Sequence, residues 1–172
     1  MEHTTIAVGK AARPFDGCAQ VRTADHVTRY ARIGSGRPVL VLDEVPFAAT
    51  FWPGLVERFA ERRRVILPEV PTRESRFAAW LRGFIDGIGL PRLTLVAAGD
   101  LCFPSIEFAL LEPDRLENLI LVPAGSVEET GLSGVLTSTL SSSDVRMLVI
   151  RRDCASEDAV SIIERFLDGK TA

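Results

Sequence analysis

Leu93-Thr94-Leu95-Val96-Ala97-Ala98-Gly99-Asp100-Leu101-Cys102 is the stretch that decides the fold. Leu93 to Ala97 is a near-continuous apolar run, the pattern of a strand buried on both faces of a parallel sheet. A helix is predicted from about Phe103 to Leu111, so the chain has to turn sharply in between. Gly99 stands at that turn, where a left-handed backbone comes easily to glycine.

The same alternation extends outward on both sides. Upstream, Pro38 to Leu42 and Arg64 to Pro68 are apolar strand runs. Between them Phe51, Trp52, Leu55, Val56 and Phe59 follow helical spacing. Phe77, Trp80, Leu81, Phe84, Ile85 and Ile88 mark a second apolar helical face, ended by Gly89 and Pro91. Downstream, Leu119 to Val122 and Arg146 to Ile150 are strands, and Glu157 to about Leu167 is a closing helix. Nearer the N-terminus, Cys18 to Ile33 reads as an antiparallel hairpin turning near Ala24-Asp25, and Met1 to about Val8 as a first strand. Strands alternating with helices predict an α/β fold, a doubly wound and mostly parallel sheet, with ligands outside the carboxyl ends of the strands. We read residues 1–172 as one domain without a linker.

Composition narrows the partners. The chain has 172 residues, 47% hydrophobic and 25% charged, with a net charge of −3. That balance offers no electrostatic reason for nucleic acid. Arg62-Arg63-Arg64 reads as a solvated helix end rather than a binding patch. No apolar stretch approaches the roughly 20 residues that cross a bilayer, and no basic-then-apolar leader opens the chain. The expectation is a cytoplasmic protein that neither enters membranes nor binds nucleic acid. Cys18, Cys102 and Cys154 match no metal or disulfide spacing, and no metal or cofactor is expected.

From about Tyr30 to Val122 the order and spacing resemble the α/β-hydrolase family. Gly34-Ser35-Gly36-Arg37-Pro38-Val39-Leu40-Val41-Leu42 is similar to that family's entry into its third strand, and Phe51-Trp52-Pro53-Gly54-Leu55-Val56 to the helix that follows. Val65-Ile66-Leu67-Pro68-Glu69-Val70-Pro71 is similar to the fourth strand and its exit. Thr94 to Val122, with Glu112-Pro113-Asp114-Arg115-Leu116, resembles the nucleophile strand, its helix and the sixth strand. The resemblance implies a reduced version of that fold, without a cap domain.

Every catalytic position departs from the family's pattern. The G-x-S-x-G elbow falls on Ala97, Gly99 and Leu101, with no serine. Asp43 and Glu44 replace the His-Gly whose loop N–H helps form an oxyanion hole, and carboxylates oppose a developing oxyanion. Asp153 lies near the acid's position but out of register. The two histidines, His3 and His26, both precede the third strand, whereas the family's follows the acid. The eighth strand and its His loop are read as missing. Ordinary serine hydrolysis is not expected.

Other chemistry is conceivable at the strand ends. Asp43, Glu44, Glu69, Asp100 and Asp153 all follow predicted strands. Carboxylates crowded on one rim resist simultaneous ionisation and can divide into acid and base; alternatively they are turn residues and caps, and Asp100 suits an N-cap. Cys102 is either a thiol activated at a helix N-terminus or a small buried hydrophobe, and Cys154 beside Asp153 divides the same way. Phe47, Phe51, Trp52 and Phe103 either line an apolar pocket or belong to the core. Arg73 and Arg76 either hold a ligand carboxylate or are solvated.

Two functions follow from this pattern. In the first, Asp43, Glu44 and Asp100 carry acid–base chemistry (isomerase, dehydratase, decarboxylase or cyclase) on a small organic molecule, by analogy of fold one from a natural-product or similar accessory pathway. Val45, Phe47, Glu69, Gly99, Leu101, Cys102 and Phe103 surround that molecule, and the Asp100 N–H donates to it. In the second, the chain is an inactive binding or assembly protein. Without an eighth strand, Arg146–Ile150 becomes an open sheet edge and a candidate homodimer contact.

Overall fold

The computed structural model describes residues 18–23, 26–45, 54–71, 76–125, 131, 144–151 and 153–169. The strands are β1 (Ala19–Arg22), β2 (Val27–Ile33), β3 (Arg37–Leu42), β4 (Arg63–Pro68), β5 (Leu93–Ala98), β6 (Leu116–Val122) and β7 (Arg146–Val149). The helices are α1 (Leu55–Ala60), α2 (Phe77–Gly87), α3 (Cys102–Leu111) and α4 (Ser156–Leu167). The first strand read at Met1 to Val8 lies outside the described residues.

One seven-stranded sheet runs in the order β1-β2-β4-β3-β5-β6-β7. β1 and β2 form the expected hairpin, closed where the Thr23 N–H donates to the His26 carbonyl at 2.8 Å. β2 lies antiparallel to β4, and every pairing from β4 through β7 is parallel.

The continuous apolar runs are explained by two cores. In β3, Leu40 and Leu42 face a cluster built with Trp80, Leu81, Phe84 and Ile85 of α2 and Ile106 and Phe108 of α3. Val39 and Val41 face the opposite cluster, with Leu55 and Phe59 of α1 and Ala159, Ile163 and Leu167 of α4. The period-2 alternation of a strand thus serves a helical layer on each face. α2 packs close beneath β1: a β-carbon on Gly87 would lie 2.3 Å from Val21 Cγ2.

Two readings are corrected. β6 begins at Leu116, three residues earlier than its apolar run, because Asn118 finds a polar partner inside the sheet. Its amide donates to the Thr94 hydroxyl at 2.9 Å, which satisfies both buried groups. The basic run is not a solvated helix end, since Arg63 and Arg64 open β4. Arg63 reaches Asp168 at 3.1 Å and Arg62 lies 3.8 Å from the same carboxylate, which ties the end of α4 to the sheet. Among the described residues no helix is long and apolar enough to cross a membrane.

Candidate functional site

β5 is buried along its whole length and ends in extended backbone at Ala98 (φ −116°, ψ 153°). Gly99 then takes φ +59°. This is the small left-handed region, open to glycine without penalty. One 3-10 turn, Gly99–Leu101, delivers the chain into α3. The bend expected from sequence is therefore present.

The parallel register of β3 with β5 brings the exit of β3 beside this turn, with Leu42 opposite Ala97. Glu44 reaches across. Its Oε1 accepts a hydrogen bond from the Asp100 N–H at 3.1 Å. A β-carbon at residue 99 would lie 2.6 Å from the same oxygen. The carboxylate thus sits over the bare α-carbon of Gly99 and holds the first amide beyond it. This contact joins residues 56 apart in sequence, and no local pattern signals it.

The remaining carboxylates do not join this pair as one crowded cluster. Asp43 is 5% exposed and turned inward, its Oδ1 accepting from the Val45 N–H at 3.2 Å. That bond closes a turn on its own backbone. Glu69 is forked to Arg29 at 3.1 and 3.4 Å, across from β4 to β2. Asp153 is forked to Arg151, whose guanidinium holds its carboxyl below the usual range. Among the described residues no three histidine, cysteine, aspartate or glutamate side chains converge to hold a metal ion.

Asp100 is not the N-cap of α3. That position falls on Leu101, with no side-chain cap bond. The 3-10 turn moves the helix start past Asp100 and leaves its side chain exposed. Cys102 is not an activated thiol. It is buried, its S–H points at the Ala97 carbonyl at 3.4 Å, and burial pushes its pKa from 9.0 up to about 11. The negative charge of Asp100 adds to the rise, and a backbone hydrogen bond at Val122 only partly offsets it. Cys102 packs in the core with α2 and α3, so no ligand at the rim touches it without opening that core. Cys154 packs against the opposite core.

Of the residues read as surrounding a ligand, Val45 (48%) and Phe103 (43%) are well exposed, and Leu101 is half-buried. Phe103 lines a shallow groove with Pro104, Ile106 and Leu110 on α3. Arg76 is exposed on a second groove of about 590 Å³, where Arg82 and Glu112 form an ion pair at 3.0 Å. Phe47, Phe51, Trp52 and Arg73 lie outside the described residues.

The sheet order and the strand-to-helix bend define an α/β-hydrolase-like fold. Known structures agree. A putative acyltransferase from Salmonella enterica superposes with a TM-score of 0.56 at 22% identity, over 72% of this chain and 48% of that one. A putative epoxide hydrolase from Klebsiella pneumoniae superposes with a TM-score of 0.54 at 23% identity, over 64% of this chain and 43% of that one. Among curated sequences, an uncharacterized protein of Mycobacterium tuberculosis is 30% identical over 120 residues, which is 63% of this chain. The match spans 35% of that relative's length. No family model matches the chain.

Proposed function

We propose that this chain is a non-hydrolytic α/β-hydrolase-like protein, one that binds rather than cleaves at the carboxyl ends of its strands. One observation carries the reading: Glu44 Oε1 takes the Asp100 N–H and overlies Gly99. The elbow has no attacking oxygen, and the amide that would stabilise a developing oxyanion already serves a carboxylate. The ligand class that suits the rim is an apolar, uncharged small molecule. Val45 and Phe103 offer apolar surface, while Glu44 and Asp100 disfavour a further negative charge. The purified chain is expected to leave p-nitrophenyl esters intact and to resist labelling by a fluorophosphonate probe. Ester turnover above the buffer rate, lost in Gly99→Ala or Asp100→Ala, would defeat the reading.

Acid–base turnover of a small molecule is the second reading. It is favoured by the exposure of Glu44 and Asp100 at the adjoining ends of β3 and β5. Asp43→Asn and Asp100→Asn separate the two: loss of a cellular phenotype with both variants folded supports chemistry.

Assembly is a further part of the proposal. The Ile150 N–H points to Leu121 of β6 at 2.9 Å. By alternation, the N–H groups of Met147 and Val149 point away from the sheet. Among the described residues β7 pairs with β6 alone, so a second copy is the partner we assign to that edge. Met147→Pro removes an outward donor, which edge strands tolerate. It is expected to turn a dimer into a folded monomer by light scattering; a wild-type chain monomeric at high concentration overturns the assignment.

A further inference from the structure

The elbow in hydrolase-like folds carries a side chain on a strained turn, so the bend alone does not require glycine at residue 99. What distinguishes this chain is the group over that residue. Glu44 is exposed and is the far end of a flexible side chain, yet it makes a defined contact with the Asp100 N–H at 3.1 Å. It stands where a β-carbon on residue 99 would come within 2.6 Å. Its neighbours on the β3 exit give it a firm base. Asp43 is buried and closed onto the Val45 N–H, so the loop backbone stays in place while the Glu44 side chain can swing.

We propose that Glu44 is a displaceable latch: its carboxylate closes the rim over Gly99, and the rim opens by rotation of this one side chain. The proposal deepens the binding reading above and rests on it for its purpose, but its geometry stands apart from any turnover. Gly99 and Glu44 are then two halves of one device. Any side chain at residue 99 evicts the carboxylate, and eviction strips the Asp100 amide of its acceptor. The rim opens in both Gly99→Ala and Glu44→Ala, by different routes to the same state.

The test is amide hydrogen exchange at Asp100 by NMR, in the wild-type chain, Glu44→Ala, Gly99→Ala and the double variant. Loss of a hydrogen bond to a charged acceptor predicts exchange faster by about tenfold or more in each variant. The amide of Val96, within β5, is expected to be unchanged and reports an intact sheet. Thermal melts add a second measure. Gly99→Ala is expected to lower Tm more in the wild-type chain than in the Glu44→Ala chain, where there is no contact left to lose. Glu44→Gln keeps an acceptor without the charge and is expected to fall between wild type and Glu44→Ala. Asp100 exchange unchanged in Glu44→Ala, or Tm losses that simply add, would overturn the latch. Ester turnover by the wild-type chain would instead defeat the binding reading, so the two failures are distinguishable.

Discussion

The thiol of Cys102 gives a prediction whose size follows from the structure. The side chain is 1% exposed and its pKa lies at about 11 against an ordinary 9.0. Folding therefore favours the protonated thiol. Below pH 9 both folded and unfolded chains hold the proton, and the favourable packing of the neutral thiol is present in full. Between pH 9 and 11 the unfolded chain releases the proton first, so stability falls as pH rises. Two pKa units amount to about 3 kcal/mol at the end of that window. Cys102→Ala removes the titration and loses a buried group the size of a methylene, about 1 kcal/mol. The variant is thus expected to be the less stable chain at pH 8 and the more stable one near pH 11. Urea unfolding of both chains across this range tests it, and the difference between them cancels whatever the two chains share. The two curves must cross; parallel curves would show that Cys102 ionises without penalty and refute the reasoning. Alkylation gives an independent check, because at pH 8 a shift of two units leaves about 100-fold less thiolate than an ordinary cysteine holds. Iodoacetamide is expected to modify Cys18 and Cys154 well before Cys102.

Other perturbations address the site and its frame. Gly99→Ser restores a hydroxyl at the elbow but evicts Glu44 and brings no general base with it, so no hydrolysis of p-nitrophenyl acetate above background is expected; measurable turnover would contradict the account. Trp80→Phe removes the indole N–H that donates to the buried Thr28 hydroxyl at 2.9 Å. The orphaned hydroxyl predicts a loss of about 1–3 kcal/mol, read as a lower urea midpoint, and an unchanged midpoint would count against it. Arg146→Ala removes a hydrogen bond to the Phe166 carbonyl at 2.6 Å and a guanidinium stacked 4.5 Å from the Phe166 ring. Faster amide exchange in the last turn of α4, with β5 unaffected, is the expected result.

Sequence reading succeeded where one residue's neighbours in the chain are also its physical environment. Val39 to Leu42 had to be buried on both faces, since four successive apolar side chains alternate between two sides of a strand, and two helical layers do receive them. The spacing of Phe77, Trp80, Leu81, Phe84 and Ile85 likewise placed one face of α2 on the sheet. The misses have a common cause. Asn118 falls outside the apolar run Leu119 to Val122, yet Thr94 meets it from the neighbouring strand and draws it into β6. Arg63 read as solvated until Asp168, 105 residues later, came back to it. Asp100 suits a cap as well as an acid–base role by its place before a helix, but a single 3-10 turn moves the helix start beyond its reach and rules out the cap. Polar contacts between distant segments leave no periodic trace.

That same class of contact governs the rim. An acid–base site needs carboxylates held close and left available, so that one is forced to keep its proton. Here Asp43 closes a turn, Glu69 is forked to Arg29, and Asp153 to Arg151. Glu44, held by a backbone amide, is the rim carboxylate whose contact a ligand could exchange for its own with least disturbance. An exposed ion pair such as Arg29–Glu69 contributes little to stability, but it lowers the charge that an apolar ligand meets at the strand ends. On the binding reading proposed above, a rim in which Asp43, Glu44, Glu69 and Asp153 are each answered from within suits an uncharged molecule better than proton transfer. For that reason the Glu44–Asp100 contact, rather than the absent hydroxyl of Gly99 alone, is where the choice between binding and catalysis can be measured.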